Sequence, residues 1–182
     1  MSKQPAPLSM ANFLSWEARQ EAKHEFVDGQ IAAFAGGTLG HSAIALNLAA
    51  ALLAALQERP CRVLGSDAMV ETARSLRYPD VTVTCDPRDT PEARTVLYPV
   101  LIVEVISDSS VATDRGEKLE EYTSLESLRE YVLVDSRRRW VQMFRREGSA
   151  WVMGGAVTSG SVDLRSVGIT VPIDTIYRGA AV

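Results

Sequence analysis

Cysteine and histidine are scarce in this chain of 182 residues, with two of each. Cys61 and Cys85 lie far apart, with none of the short spacings that hold a zinc ion, which argues against a Cys/His metal centre. The expectation is two buried thiols in a reducing cytoplasm. Aromatic residues make up only 7% of the chain, and Trp16, Trp140 and Trp151 all lie outside the stretch richest in interesting acids. Excess positive charge is absent too: the net charge is −4, so nothing pulls the chain generally toward nucleic acid or an anionic membrane. Any phosphate must be gripped locally. Long apolar runs are also missing. The longest, around Ala43 to Leu56, is alanine-rich and interrupted by Asn47, which argues against a membrane span. Met1 to Ser9 lacks the basic-then-apolar pattern of a signal peptide.

What remains is an ordinary globular composition, 46% hydrophobic and 23% charged, over a length that suits one domain with a sizeable core. Ser9 is placed to cap a short helix that carries Met10, Phe13 and Leu14 on one face. Asp28-Gly29, between the arms His24–Val27 and Gln30–Phe34, is the strongest short-range hairpin signal in the chain. From Gly40 or His41 to about Gln57 the apolar spacing is helical, and Arg59-Pro60 ends it. Cys61–Leu64 and Ala68–Glu71 read as short strands, and Asp86–Thr95 as a solvated loop. Asp108-Ser109-Ser110 breaks the strand before it, and Asp114 with Glu117 reads as a capping box that opens a helix to about Ser124. A hairpin over Glu130–Asp135 and Arg139–Arg146, an edge strand near Trp151–Ala156 and a short helix over Val171–Ile176 complete the chain. The order implies a mixed α/β plan around one central sheet.

The chemistry concentrates between Arg77 and Lys118. Pro79-Asp80 falls near the start of one β-branched run (Arg77–Cys85), and Glu104 interrupts a second, nearly continuous apolar run (Tyr98–Ser107) that reads as a central strand covered on both faces. A carboxylate there is costly without a cation beside it. One reading is structural: Asp80 marks a turn and Glu104 pairs with an arginine. In the other, two hard oxygen ligands converge on a magnesium-type ion, which takes one or two carboxylates and keeps waters for a phosphate substrate. Lys118 stands on the next helix. It either forms a solvated pair with Glu121 or Asp114, or reaches back toward Glu104 to orient a water and balance charge on a phosphate. His24 reads as structural, and His41, at a helix start, is left open between a ligand contact and a satisfied polar group.

Four fragments together resemble a known family. His24-Glu25-Phe26-Val27-Asp28-Gly29-Gln30-Ile31, the helix start at His41 with Ile44, Asn47 and Leu48, Pro79-Asp80 followed by Val103-Glu104-Val105-Ile106-Ser107, and Asp114-Arg115-Gly116-Glu117-Lys118-Leu119-Glu120-Glu121-Tyr122 are similar, in order, to the Uma family of restriction endonucleases within the PD-(D/E)XK nuclease superfamily. Glu130–Asp135 resembles the family's closing strand. The resemblance spans roughly Glu25 to Phe144 and implies a single restriction-endonuclease-like domain with a core over roughly residues 25–146, a central mixed β-sheet flanked by α-helices. It also implies cleavage of DNA with Mg²⁺, or Mn²⁺ in its place. Asp80, Glu104 and the main-chain carbonyl of Val105 would hold the metal. Lys118 would serve as a lysine migrated from the superfamily's usual position, which here is Ile106. Glu25 would be an additional acid from the N-terminal segment, its structural alternative being a surface residue on a hairpin arm. A 5′-phosphate product follows from the resemblance alone. The Arg137-Arg138-Arg139 turn, with Arg145 and Arg146, is the dense basic patch that could contact DNA phosphates, and a homodimer would suit two cuts on a duplex. The runner-up is a nuclease-like fold that binds protein or nucleic acid without cutting, favoured by the net acidity and by Ile106. A two-carboxylate sugar hydrolase needs aromatic platforms that the three tryptophans do not supply.

Overall fold

The computed structural model describes residues 8–34, 36–107 and 110–182. In chain order the elements are α1 (Met10–Glu17), β1 (His24–Val27), β2 (Gln30–Ala33), α2 (Leu39–Leu56), β3 (Arg62–Gly65), β4 (Met69–Glu71), β5 (Ser75–Arg77), β6 (Val81–Thr84), β7 (Thr95–Val96), β8 (Pro99–Ile106), α3 (Val111–Arg115), α4 (Glu117–Thr123), β9 (Glu130–Asp135), β10 (Val141–Glu147), β11 (Ala150–Met153), β12 (Ser161–Leu164), β13 (Ile169–Pro172) and α5 (Ile173–Ile176). The mixed α/β plan holds, but one central sheet becomes three. A six-stranded sheet runs β11-β10-β9-β8-β6-β3, a five-stranded one β2-β1-β5-β4-β7, and β12 pairs with β13.

The run that begins at Arg77 is shared between two sheets. Ser75–Arg77 lies between β1 and β4, whereas Val81–Thr84 lies between β3 and β8. Tyr78-Pro79-Asp80 carries the chain across. Proline cannot donate to a ladder, which is why the crossing falls there. β8 is the central strand that its composition implies: it pairs antiparallel with β6 and parallel with β9, and all but one of its residues are buried. One core packs α2, β13 and α5 against a face of the large sheet, and a second sets Tyr122, Leu128 and Tyr131 against the other.

The local signals work where their chemistry is local. Ser9 Oγ accepts from the Asn12 amide at the start of α1, and Thr38 Oγ1 accepts from the His41 amide at the start of α2. Asp28 and Gly29 both have positive φ, 48° and 82°, as a two-residue hairpin turn of this type requires. Helix α2 has 18 residues and is long and apolar enough, by length and composition alone, to cross a membrane, contrary to the expectation from Asn47. Asn47 does not interrupt it, because its side-chain amide donates to the carbonyls of Ile176 and Arg178.

Other expectations are corrected. Cys61 and Cys85 form a disulfide and are half-buried, not buried thiols. β3 and β6 pair with Arg62 opposite Thr84, and this register brings the next residues, Cys61 and Cys85, together across 24 positions of sequence. The Asp86–Thr95 loop is not simply solvated: Asp89 is buried and accepts from the Leu97 and Tyr98 amides and the Thr84 hydroxyl. Asp114 lies inside α3 rather than capping a helix, and the helix breaks at Gly116, where a side chain would meet the Ala112 carbonyl at 2.9 Å. The expected helix over Val171–Ile176 is the end of β13 followed by α5. Asp108 and Ser109, expected to break β8, lie outside the described residues, as do Met1 to Pro7.

Candidate active site

β8 and β6 bring the two central acids together. Val81 stands opposite Val103 in the antiparallel register, so Asp80, just before β6, reaches the backbone two residues further along β8. Asp80 Oδ2 accepts from the Val105 amide at 2.7 Å and lies 3.3 Å from His41 Nε2. Glu104, one residue back along β8, is 3% exposed. Its Oε1 accepts from Lys118 Nζ at 3.0 Å and from the Tyr122 hydroxyl at 2.9 Å. Lys118 Nζ also stands 3.0 Å from Asp114 Oδ1. Both readings of Lys118 are thus partly right: it pairs with Asp114 one turn earlier and reaches Glu104, and it is buried rather than solvated. The break at Gly116 starts α4 afresh, so that Lys118 and Tyr122, four residues apart, both point at β8.

His41, Asp80, Glu104, Asp114 and Lys118 line a cleft of about 340 Å³ together with Phe34, Ser42, Ser66, Tyr78 and Ser110. Electrostatics there oppose one another. Burial pushes the Glu104 carboxyl up to about 8, and Asp114 and Asp80 add to that while Lys118 pulls it down. Glu104 and Asp114 outweigh the burial of Lys118 and hold its ammonium charged, above its usual range. The His41 imidazole is raised as well, chiefly by its hydrogen bond to Asp80, with burial opposing and the Val105 carbonyl assisting. Among the described residues no three His, Cys, Asp or Glu side chains cluster as a metal site. Two carboxylates do meet the demand of a hard cation that keeps its waters. Asp80 Oδ1 and Glu104 Oε2 have no hydrogen-bond partner among the described residues, leaving each acid one oxygen for such a ligand.

Glu25 lies beside this cleft rather than in it. Its Oε2 accepts from Arg77 Nη1 at 2.9 Å and its Oε1 from the Tyr78 amide at 3.0 Å, so it is a buried partner and not a surface residue of the hairpin. It lines an adjoining groove of about 710 Å³ that shares Phe34, Ser110, Asp114 and Lys118 with the cleft. His24 is structural, its ring nitrogen and amide both meeting Glu17. In the basic turn, Arg137 and Arg138 both bond the buried Asp135 carboxylate and Arg139 pairs with Asp174. Arg145 serves Glu130, and Arg146 the carbonyls of Thr123, Leu125 and Leu128. The turn nevertheless adjoins the cleft end of β8, where Ser136 donates its hydroxyl and amide to the Ile106 carbonyl. Sequence reasoning missed Tyr122 as a ligand of Glu104 and read Asp114 as a cap. The four-residue spacing of Asp114, Lys118 and Tyr122 was the available signal.

A family profile described as "Putative restriction endonuclease" (Uma2) matches residues 10–167. The chain belongs to the Uma2 family. Two uncharacterized proteins of Synechocystis sp. are similar as well. One is 37% identical over 177 residues, covering 96% of this chain and 93% of that protein; the other is 30% identical over 151 residues, covering 80% and 85%. Among solved structures, the crystal structure of "a putative nuclease belonging to DUF820" from Anabaena variabilis superposes with a TM-score of 0.77 over 94% of this chain and 98% of that one. At 16% identity that likeness concerns the fold: the Uma2 chain has a nuclease-like fold.

Proposed function

We propose that this Uma2 protein is a divalent-cation-dependent endonuclease that hydrolyses phosphodiester bonds in DNA. The observation that carries the reading is the convergence of Asp80 and Glu104, from adjacent antiparallel strands, with Lys118 3.0 Å from Glu104 at one cleft. Asp80, Glu104 and the Val105 carbonyl would hold Mg²⁺ or Mn²⁺. A cation bound there neutralises charge on the scissile phosphate and makes a water more acidic. The protein's own groups do the rest. Lys118, fixed by Asp114 and Glu104, orients the attacking water for in-line displacement and offsets charge developing on the phosphate. His41, paired with Asp80, faces the same cleft, where it would meet a phosphate oxygen. Glu25 acts from outside the cleft by fixing Arg77 and the Tyr78 amide next to Asp80. Family membership supports a 5′-phosphate product, and the Arg137–Arg139 turn beside Ile106 is the proposed contact for DNA flanking the cut.

A supercoiled-plasmid assay tests this. The wild type nicks in Mg²⁺ or Mn²⁺ and stops in EDTA, whereas Asp80→Ala and Lys118→Ala lose cutting with either ion. A second reading, DNA or protein binding without cleavage, is favoured by Ile106 at the superfamily's usual lysine position, where it is buried in the core. Intact plasmid with all metals, together with no heat of cation binding in calorimetry, would replace the first reading with the second.

A further inference from the structure

Helix α2 has one face that its own fold leaves uncovered. Ile44, Leu48, Leu52 and Leu56 are sunk in the core, but Leu39, Leu46 and Leu53 on the other side are 91, 69 and 54% exposed. Their spacing of seven residues lays them on one line, which drifts by only about 20° per step. Exposed Ser42 and Ala50 flank that line on the same face, and no Asp, Glu, Lys or Arg occurs from Leu39 to Leu56. Three exposed leucines in register differ from the scattered apolar residues of an ordinary surface.

The line is also symmetric. Counting out from Leu46, the residues four away are Ser42 and Ala50, both small, and those seven away are both leucine. Turned end for end, the helix presents the same order of large and small groups. A surface complementary to itself in this way is what an isologous two-fold contact requires. We infer that the occupant of this face is a second copy of the chain, α2 packing antiparallel on the partner's α2 about an axis through Leu46, with Leu39 against the partner's Leu53 and Ser42 against the partner's Ala50. A lipid surface fits less well, because an interfacial helix carries Lys and Arg beside its apolar stripe and this helix has none.

The helix is about 27 Å long and about 10 Å wide, so its footprint of about 270 Å² per copy falls short of the roughly 800 Å² per partner of a stable interface. The neighbours of α2 extend it: β3, the outer strand of the large sheet, on which α2 packs, and the chain end at Val182, 38% exposed, following the segment that Asn47 holds. The dimer is therefore reversible. The pairing sets the two His41 residues about 15 Å apart along the helix axes. It stands whether or not the cleft cuts DNA, since the test reads mass and cross-linking rather than activity.

Sedimentation equilibrium of the full chain across the micromolar range should show the mass of two chains at high concentration and of one on dilution. Leu46→Arg should keep the single-chain mass throughout with an unchanged melting temperature, and Leu53→Arg serves if that variant is unstable. With copper phenanthroline as oxidant, each cysteine pair loses two electrons to Cu²⁺ and two protons to solvent as its S–S bond forms. Leu46→Cys should cross-link to itself. Leu39→Cys should cross-link to Leu53→Cys in a mixture, and to itself not at all. A single-chain mass at every wild-type concentration overturns the proposal. So does a dimer that survives both arginine variants, failure of Leu46→Cys to cross-link, or flotation of the single chain with phosphatidylcholine vesicles, which would assign the face to lipid.

Discussion

Two buried clusters, each a cation among acids, lie side by side in this protein, and they are built differently. In one, Arg77 donates Nε and Nη2 to the two oxygens of Glu121, both at 2.8 Å, and Nη1 to Glu25, while Ser75 adds a hydroxyl to Glu121. Every oxygen of both acids has a partner once the Tyr78 amide is included. In the other, Lys118 sits between Glu104 and Asp114, and Asp80 and Glu104 each keep an oxygen unmatched among the described residues at a cleft. The planar guanidinium closes its cluster with fixed bidentate geometry, whereas the ammonium is a point charge that leaves room for a further ligand. The Glu121 carboxyl feels burial first, but the bonds from Arg77 and Ser75 outweigh it and hold it below its usual range; the Glu104 carboxyl moves up. A saturated cluster ties two strands of one sheet to a helix. An unsaturated one is where chemistry can occur.

The comparison can be broken from either side. The largest expected effect is on stability: Arg77→Met strands Glu25 and Glu121 without a cation and should cost about 3–5 kcal/mol, read by urea unfolding. The next largest is on activity. Asp80→Asn should lower plasmid nicking by about 10²–10³-fold while leaving the urea midpoint close to wild type; a midpoint that falls as far as that of Arg77→Met would place the acid among the structural pairs. Tyr122→Phe removes one donor from Glu104 and should cost about 1–3 kcal/mol. A pH series sharpens the contrast. Because the folded Glu121 carboxyl lies below its unfolded value, its contribution is present above the usual carboxylate range and disappears as pH falls through the folded value. Acid unfolding of the wild type should therefore be steeper than that of Glu121→Gln. Arg138→Ala, which removes an exposed arginine from an Asp135 carboxylate that Arg137 still bonds, should shift stability by less than about 1 kcal/mol.

Which parts were legible follows the range of the interactions. The Asp28-Gly29 turn, the cap at Ser9 and the buried run of β8 rest on neighbours within a few residues. An acid inside an apolar strand also stands out, and Glu104 does have the cation that its burial demands. The Arg77 cluster was invisible because Glu121 and Glu25 join it from 44 and 52 residues away. The division of Arg77–Cys85 between two sheets was equally hidden, since both halves have strand composition.

By itself the sequence determined that a strand-rich α/β domain would form, where its principal helix and hairpins fall, and which two acids and one lysine merit attention, because periodicity, turn chemistry and the cost of burying charge act locally. Only tertiary structure decided that Asp80 would meet the Val105 amide, that Glu25 would turn to Arg77, and that Cys61 would find Cys85. Those outcomes depend on strand register and sheet order, which are set by packing across the whole core.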